Sequence, residues 1–284
     1  MPRQAKFALS GAAAAAVLLI LTWLLAFHVA VFRNADQSIY SGFFQLHSRG
    51  HVWAIANVIV QVCDPKPFVV LVAVIAVVAL LRRRPRAAVA ICAIVIGANV
   101  TTQLLKPLLA APRAGNLLGG VSPVLPASWP SGHATAAMTL ALCSVIAAPA
   151  RWRPTVAAVG ALFAVAVSYS FLTLGWHYPS DVFGGFLIVA CWTLVAVAGV
   201  FTVEARRPRR PARQPGERVS LREALAPPAA AVLGGVVLAG LIALARPHQV
   251  LSYARAHEAF MVGAAAIALL GLVLATGLML ALRR

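Results

Sequence analysis

Long apolar runs constrain this chain more than any other feature. A helix needs about 20 consecutive apolar residues to cross the hydrocarbon core of a bilayer. The sequence offers such runs at Ala8–Phe32, Phe68–Leu81, Ala87–Leu105, Gly132–Ala150, Thr155–Trp176, Val182–Val203, Ala229–Ala245 and Ala259–Leu282. The second is short, and borrows residues from Val52–Val62 or lets its Arg flank snorkel. The first is too long for a typical signal peptide and lacks a convincing small-x-small cleavage site, so a retained anchor is expected. Between these two runs, Arg33–Gln61 has an amphipathic flavour and reads as an interfacial segment. The chain is 61% hydrophobic and 11% charged, where a soluble domain is nearer half and a quarter. Disorder and an ordinary soluble enzyme are excluded. The expected fold is an all-α polytopic transmembrane bundle with a six-helix core at residues 1–203. A basic cytoplasmic linker at 204–226 and a C-terminal two-helix hairpin at 227–284 complete the expected organisation.

The formal charge of +17 would suggest nucleic acid in a soluble protein. In a membrane protein, basic loops record topology. With eight spans and a cytoplasmic N-terminus, 17 of the 24 Lys and Arg fall in cytoplasmic segments and seven outside. Both termini are therefore expected in the cytoplasm, with no nucleic-acid partner. The expected location is the bacterial plasma membrane. The four cysteines form no CxxC pair, so neither a disulfide framework nor a zinc site is expected.

Ionisable groups at membrane depth are costly and mark function by default. Three clusters fall on the outer side of this topology, which was assigned from loop charge alone. Lys106 ends the third span and Arg113 follows it. Pro130-Ser131-Gly132-His133 opens the fourth. His177-Tyr178-Pro179-Ser180-Asp181 joins the fifth to the sixth. Two cations can hold a phosphate and neutralise charge that builds in a transition state. The free N–H groups of a helix that starts at Ser131 and Gly132 favour an anion. Asp181, four residues after His177, can hold one imidazole nitrogen as N–H and leave the other free to attack. His133 then remains as general acid. Such a set supports phosphoryl transfer with no metal or cofactor.

These residues resemble the signature of the type-2 phosphatidic acid phosphatases, the lipid phosphate phosphatases. Lys106, six residues and Arg113 match the first block, with Ala114 in place of its Pro. Pro130 to His133 match the second block throughout. Ser170, His177 and Asp181 match the third. The resemblance implies that His177 is the nucleophile, Asp181 its orienting carboxylate and His133 the acid. It also implies that Lys106, Arg113, Ser131 and Gly132 hold the phosphate. One position departs: Phe171 stands where the third block has Arg. Losing one charge-assisted contact costs about 1.5–3 kcal/mol. A slow enzyme, replacement of the cation by Arg246 or Arg255, and a phosphate presented differently all fit that departure.

The function expected is dephosphorylation of a lipid phosphate or isoprenyl diphosphate at the outer leaflet, through a phosphohistidine. Two alternatives share the site: transfer of the phosphoryl group to a hydroxyl acceptor, and binding of phosphorylated lipids without turnover.

Overall fold

The computed structural model describes residues 1–112, 124–206 and 220–283. Among these residues the regular structure is helical. The helices are α1 (Arg3–His28), α2 (Ala30–Gln45), α3 (Gly50–Gln61), α4 (Pro65–Leu81), α5 (Pro85–Leu108), α6 (Gly132–Ala147), α7 (Arg153–Thr173), α8 (Pro179–Arg206), α9 (Leu221–Ala245), α10 (Pro247–Ala256) and α11 (Glu258–Ala281). Six of them, α1, α5, α7, α8, α9 and α11, are individually long and apolar enough to cross a membrane. The expected bundle of membrane helices is what the chain forms, and the protein is an integral membrane protein.

Two expected spans take other forms. Phe68–Leu81 lies in α4, which follows α3 across a 51° bend, so the pair can serve as one broken span. The bend is local chemistry. Pro65 opens α4 and holds Asp64 in extended backbone, with φ −61° and ψ 155°, because a residue before proline is pushed out of the helical region. The expected fourth span is α6, only 16 residues long, of which 13 are buried. Packed against α4, α5, α7, α8 and α11, it is surrounded by protein and has little lipid-facing length to match. Five of those 13 are Ala and two are Thr, and these small residues let neighbouring helices approach closely.

The interfacial segment is two helices rather than one. Helix α1 breaks at Val29, whose backbone is extended. Helix α2 then turns away carrying Arg33, Asn34, Asp36 and Gln37, side chains the hydrocarbon would not accept. It packs against α11, α7 and α8. Ala5 and Ala8 of α1 rest on Ala198 near the end of α8. Arg153, at the start of α7, donates from Nη1 to the Leu282 carbonyl at 2.6 Å. Both ends of the described chain therefore lie at the bundle end opposite the starts of α6 and α8. The expected linker at 204–226 falls largely outside the described residues. Helix α9 starts within it, at a capping box in which Ser220 and Glu223 satisfy each other's backbone N–H groups.

Candidate active site

Three helix ends meet at one end of the bundle: the C-terminus of α5 and the N-termini of α6 and α8. The α7–α8 connection presents the first imidazole. Gly175 ends α7 with a left-handed φ of +77°, the conformation a helix C-terminus favours and a side chain resists. A Cβ there would come within 2.6 Å of the Phe44 ring. The chain reverses at Gly175 and places Pro179 at the start of α8, where its missing N–H is no loss. His177 and Asp181, four residues apart, close on each other with Nδ1 to Oδ2 at 3.1 Å. The same oxygen accepts the Tyr178 N–H at 2.9 Å. Asp181 is fully buried and His177 nearly so, so the carboxylate holds one ring nitrogen and leaves Nε2 as the free one.

The second imidazole enters on α6. The Ser131 N–H donates to the Asp181 carbonyl at 3.0 Å, which ties the start of α6 to the first turn of α8. Ser131 Oγ accepts the Ala134 N–H at 3.2 Å, an N-cap that defines where the helix begins. Ser131 is fully buried, and its polar groups hold this junction together. The N–H groups of Gly132 and His133 follow in the first turn, where a helix has no internal acceptor for them. Close approach of the two helices depends on Gly185. A Cβ there would lie 2.8 Å from the Ser131 carbonyl oxygen and 3.0 Å from the Thr135 nitrogen.

Lys106 arrives from the last turn of α5. A Cβ on Gly132 would come within 3.5 Å of its Nζ, so the ammonium stands over the start of α6. Thr102, one turn earlier, meets Thr135 with hydroxyl oxygens 3.0 Å apart, and this buried contact sets α5 against α6. Of the expected site residues, His177, Asp181, His133, Ser131, Gly132 and Lys106 are thus brought together. Arg113 lies outside the described residues.

Phe171 lies beside both imidazoles. Its fully buried ring sits 5.2 Å from that of His177 in an edge-on arrangement and 6.2 Å from that of His133. The exposed Trp176 ring covers His133 from another side at 5.5 Å. The site therefore sets polar groups beside aromatic rings.

Reading the sequence did not single out the groups that support these polar residues. Asp36 of α2 is buried and accepts the Ser180 N–H at 2.9 Å and the Ser180 hydroxyl at 2.7 Å. It caps α8 from a different helix. Gln37 accepts the Tyr178 hydroxyl at 2.7 Å, and Tyr40 stacks on the Tyr178 ring at 4.7 Å. Asp64, at the α3–α4 bend, places Oδ1 3.4 Å from Nε2 of His133. The available signal was that Asp36 and Asp64 are the two acids of the segment Arg33–Lys66, one of them in an Asp-Pro pair.

Comparison with known proteins gives one match. Residues 87–205 match the family model of the PAP2 superfamily. That stretch runs from the start of α5 to the end of α8 and contains all three motif blocks. No curated protein and no solved structure matches the chain.

Proposed function

Residues 87–205 belong to the PAP2 superfamily, and from that membership we propose that the protein is a metal-independent membrane phosphatase acting through a phosphohistidine. Membership supports a phosphatase-type function. The observation that carries the finer reading is a shared neighbour: both imidazoles lie beside one phenyl ring, and a buried carboxylate holds the first of them.

The geometry of the described residues, with Arg113 added from the motif, supports the following reaction. Asp181 keeps His177 protonated at Nδ1, so Nε2 presents its lone pair to phosphorus. As the N–P bond forms and the ester P–O bond breaks, His133 gives a proton to the departing oxygen. Water then attacks the phosphohistidine. Its proton returns to His133, the P–N bond breaks, and His177 is released. Lys106, Arg113 and the first N–H groups of α6 neutralise the phosphoryl oxygens, while Ser131 fixes where that helix starts. Because imidazoles supply nucleophile and acid and cations supply charge, the chemistry has no step that calls for a metal.

The substrate class follows from placement. The site sits at the ends of membrane helices and opens beside the exposed ring of Trp176, which suits a phosphate or diphosphate carried on a lipid or isoprenyl tail. The loop-charge asymmetry favours a reading with both termini in the cytoplasm and the site on the outer side, in a plasma membrane we take to be bacterial.

The test is phosphate release in detergent from short-chain phosphatidic acid and an isoprenyl diphosphate. The expected result is turnover that survives EDTA, with a phosphoprotein trapped on rapid quenching. His177→Ala loses at least about 10⁴-fold in turnover and the trapped phosphate. Retained turnover in that variant overturns the mechanism.

A further inference from the structure

Asp64 stands where a helix N-cap usually spends its side chain. It directly precedes Pro65 at the start of α4, yet makes no side-chain bond to that helix. Its carboxylate turns instead across the bundle, with Oδ1 3.4 Å from Nε2 of His133. The two residues are 69 positions apart in the chain. The 51° bend between α3 and α4 brings Asp64 to the level of the α6 N-terminus. An aspartate that leaves its own helix uncapped and meets an imidazole elsewhere is placed for that imidazole.

We propose that Asp64 is a positioning residue for His133, forming a second carboxylate–imidazole pair that complements Asp181 and His177. The inference rests on the phosphohistidine reading above. Asp64 accepts Nε2–H and so assigns Nδ1 to the reaction. In the first step Nδ1 gives its proton to the departing oxygen. In the second it takes a proton from the attacking water, and the cycle closes with no net change on His133. The carboxylate stabilises the doubly protonated ring that the first step requires, against two cationic or basic neighbours. Those neighbours are Lys106 from α5 and His177 from the α7–α8 connection, the latter backed by Asp181.

The test compares Asp64→Asn with Asp64→Glu in the full-length protein in detergent, with lipid phosphate as substrate. Removing the carboxylate makes His133 lose its proton more readily. The limb of the pH–turnover profile that His133 sets therefore moves to lower pH, by about one unit for a partner this exposed. That limb is the alkaline one where phosphoryl transfer limits and the acidic one where hydrolysis limits. Where phosphoryl transfer limits, turnover at neutral pH falls with it, by up to about tenfold; where hydrolysis limits, it does not fall, and in both cases Asp64→Glu restores the limb most of the way. Because the side chain is 46% exposed and caps nothing, both variants keep the parental melting temperature. An unshifted profile in Asp64→Asn overturns the inference, as does an Asp64→Glu protein that stays shifted like the amide. His177→Ala is assayed alongside. An inactive His177→Ala with an unshifted Asp64→Asn profile overturns this inference alone, whereas an active His177→Ala overturns the reading beneath it.

Discussion

The two imidazoles of the site are held in contrasting ways. His177 and its carboxylate lie four residues apart at one helix start, both buried, with the pair closed at 3.1 Å and a backbone N–H on the same oxygen. His133 meets its carboxylate across 69 residues of chain, with side-chain exposures of 25% and 46% and a looser 3.4 Å contact. The first pair is built by local geometry and shielded from water. The second depends on a helix bend and remains wet. A nucleophile has to be one tautomer in one orientation, and a buried, doubly bonded carboxylate enforces that. A group that gives a proton and takes one back needs access to water and to the departing oxygen. The two environments suit those two tasks.

Breaking the tight pair has the largest effect. Asp181→Asn leaves the fold in place but lets the amide favour the wrong tautomer of His177. Turnover of a short-chain lipid phosphate falls by about 10³–10⁴-fold, far more than the loss proposed for Asp64→Asn. Equal losses in the two variants would erase the contrast. A smaller effect comes from the support behind the tight pair. Asp36→Ala removes two bonds to Ser180 in the first turn of α8. The expected cost is about 1–3 kcal/mol of stability, read as a lower melting temperature in detergent. A loss of about tenfold in turnover accompanies it as His177 loosens. The smallest effect concerns the ring beside both imidazoles. Phe171→Arg puts a guanidinium where both imidazoles now meet a phenyl ring. A gain of about tenfold in kcat/KM is expected from one added charge-assisted contact. A loss instead would make that ring part of how the pocket takes its substrate.

Legibility in the sequence follows the same divide. Helices α1, α5, α7, α8 and α11 were readable because their apolar runs match the bilayer. Their ends moved by a few residues where proline or a cap outweighs hydropathy; Pro179 starts α8 before the apolar run begins. That the six described motif residues would gather was legible because each motif block is contiguous or spaced at a helical interval. Asp36 and Asp64 were not legible, because neither has a neighbour in sequence that explains it. Both also lie outside residues 87–205, the stretch that matches the superfamily. Helix α2 shows the reason plainly. An amphipathic segment after the first span predicts a surface helix, and nothing local says that its Asp36 will cap α8.

Hydropathy by itself determined that this chain crosses a membrane, and three short motifs marked the residues that the structure gathers at one end of the bundle. Those properties are written in single runs or in spacings that a helix converts directly into geometry. Only the tertiary structure decided that α6 is enclosed by its neighbours, that Phe171 lies beside both imidazoles, and that Asp36 and Asp64 reach the site from α2 and from the α3–α4 bend. Contacts between distant segments depend on bends, close approaches such as that at Gly185, and the packing of many side chains at once. No local pattern encodes that sum.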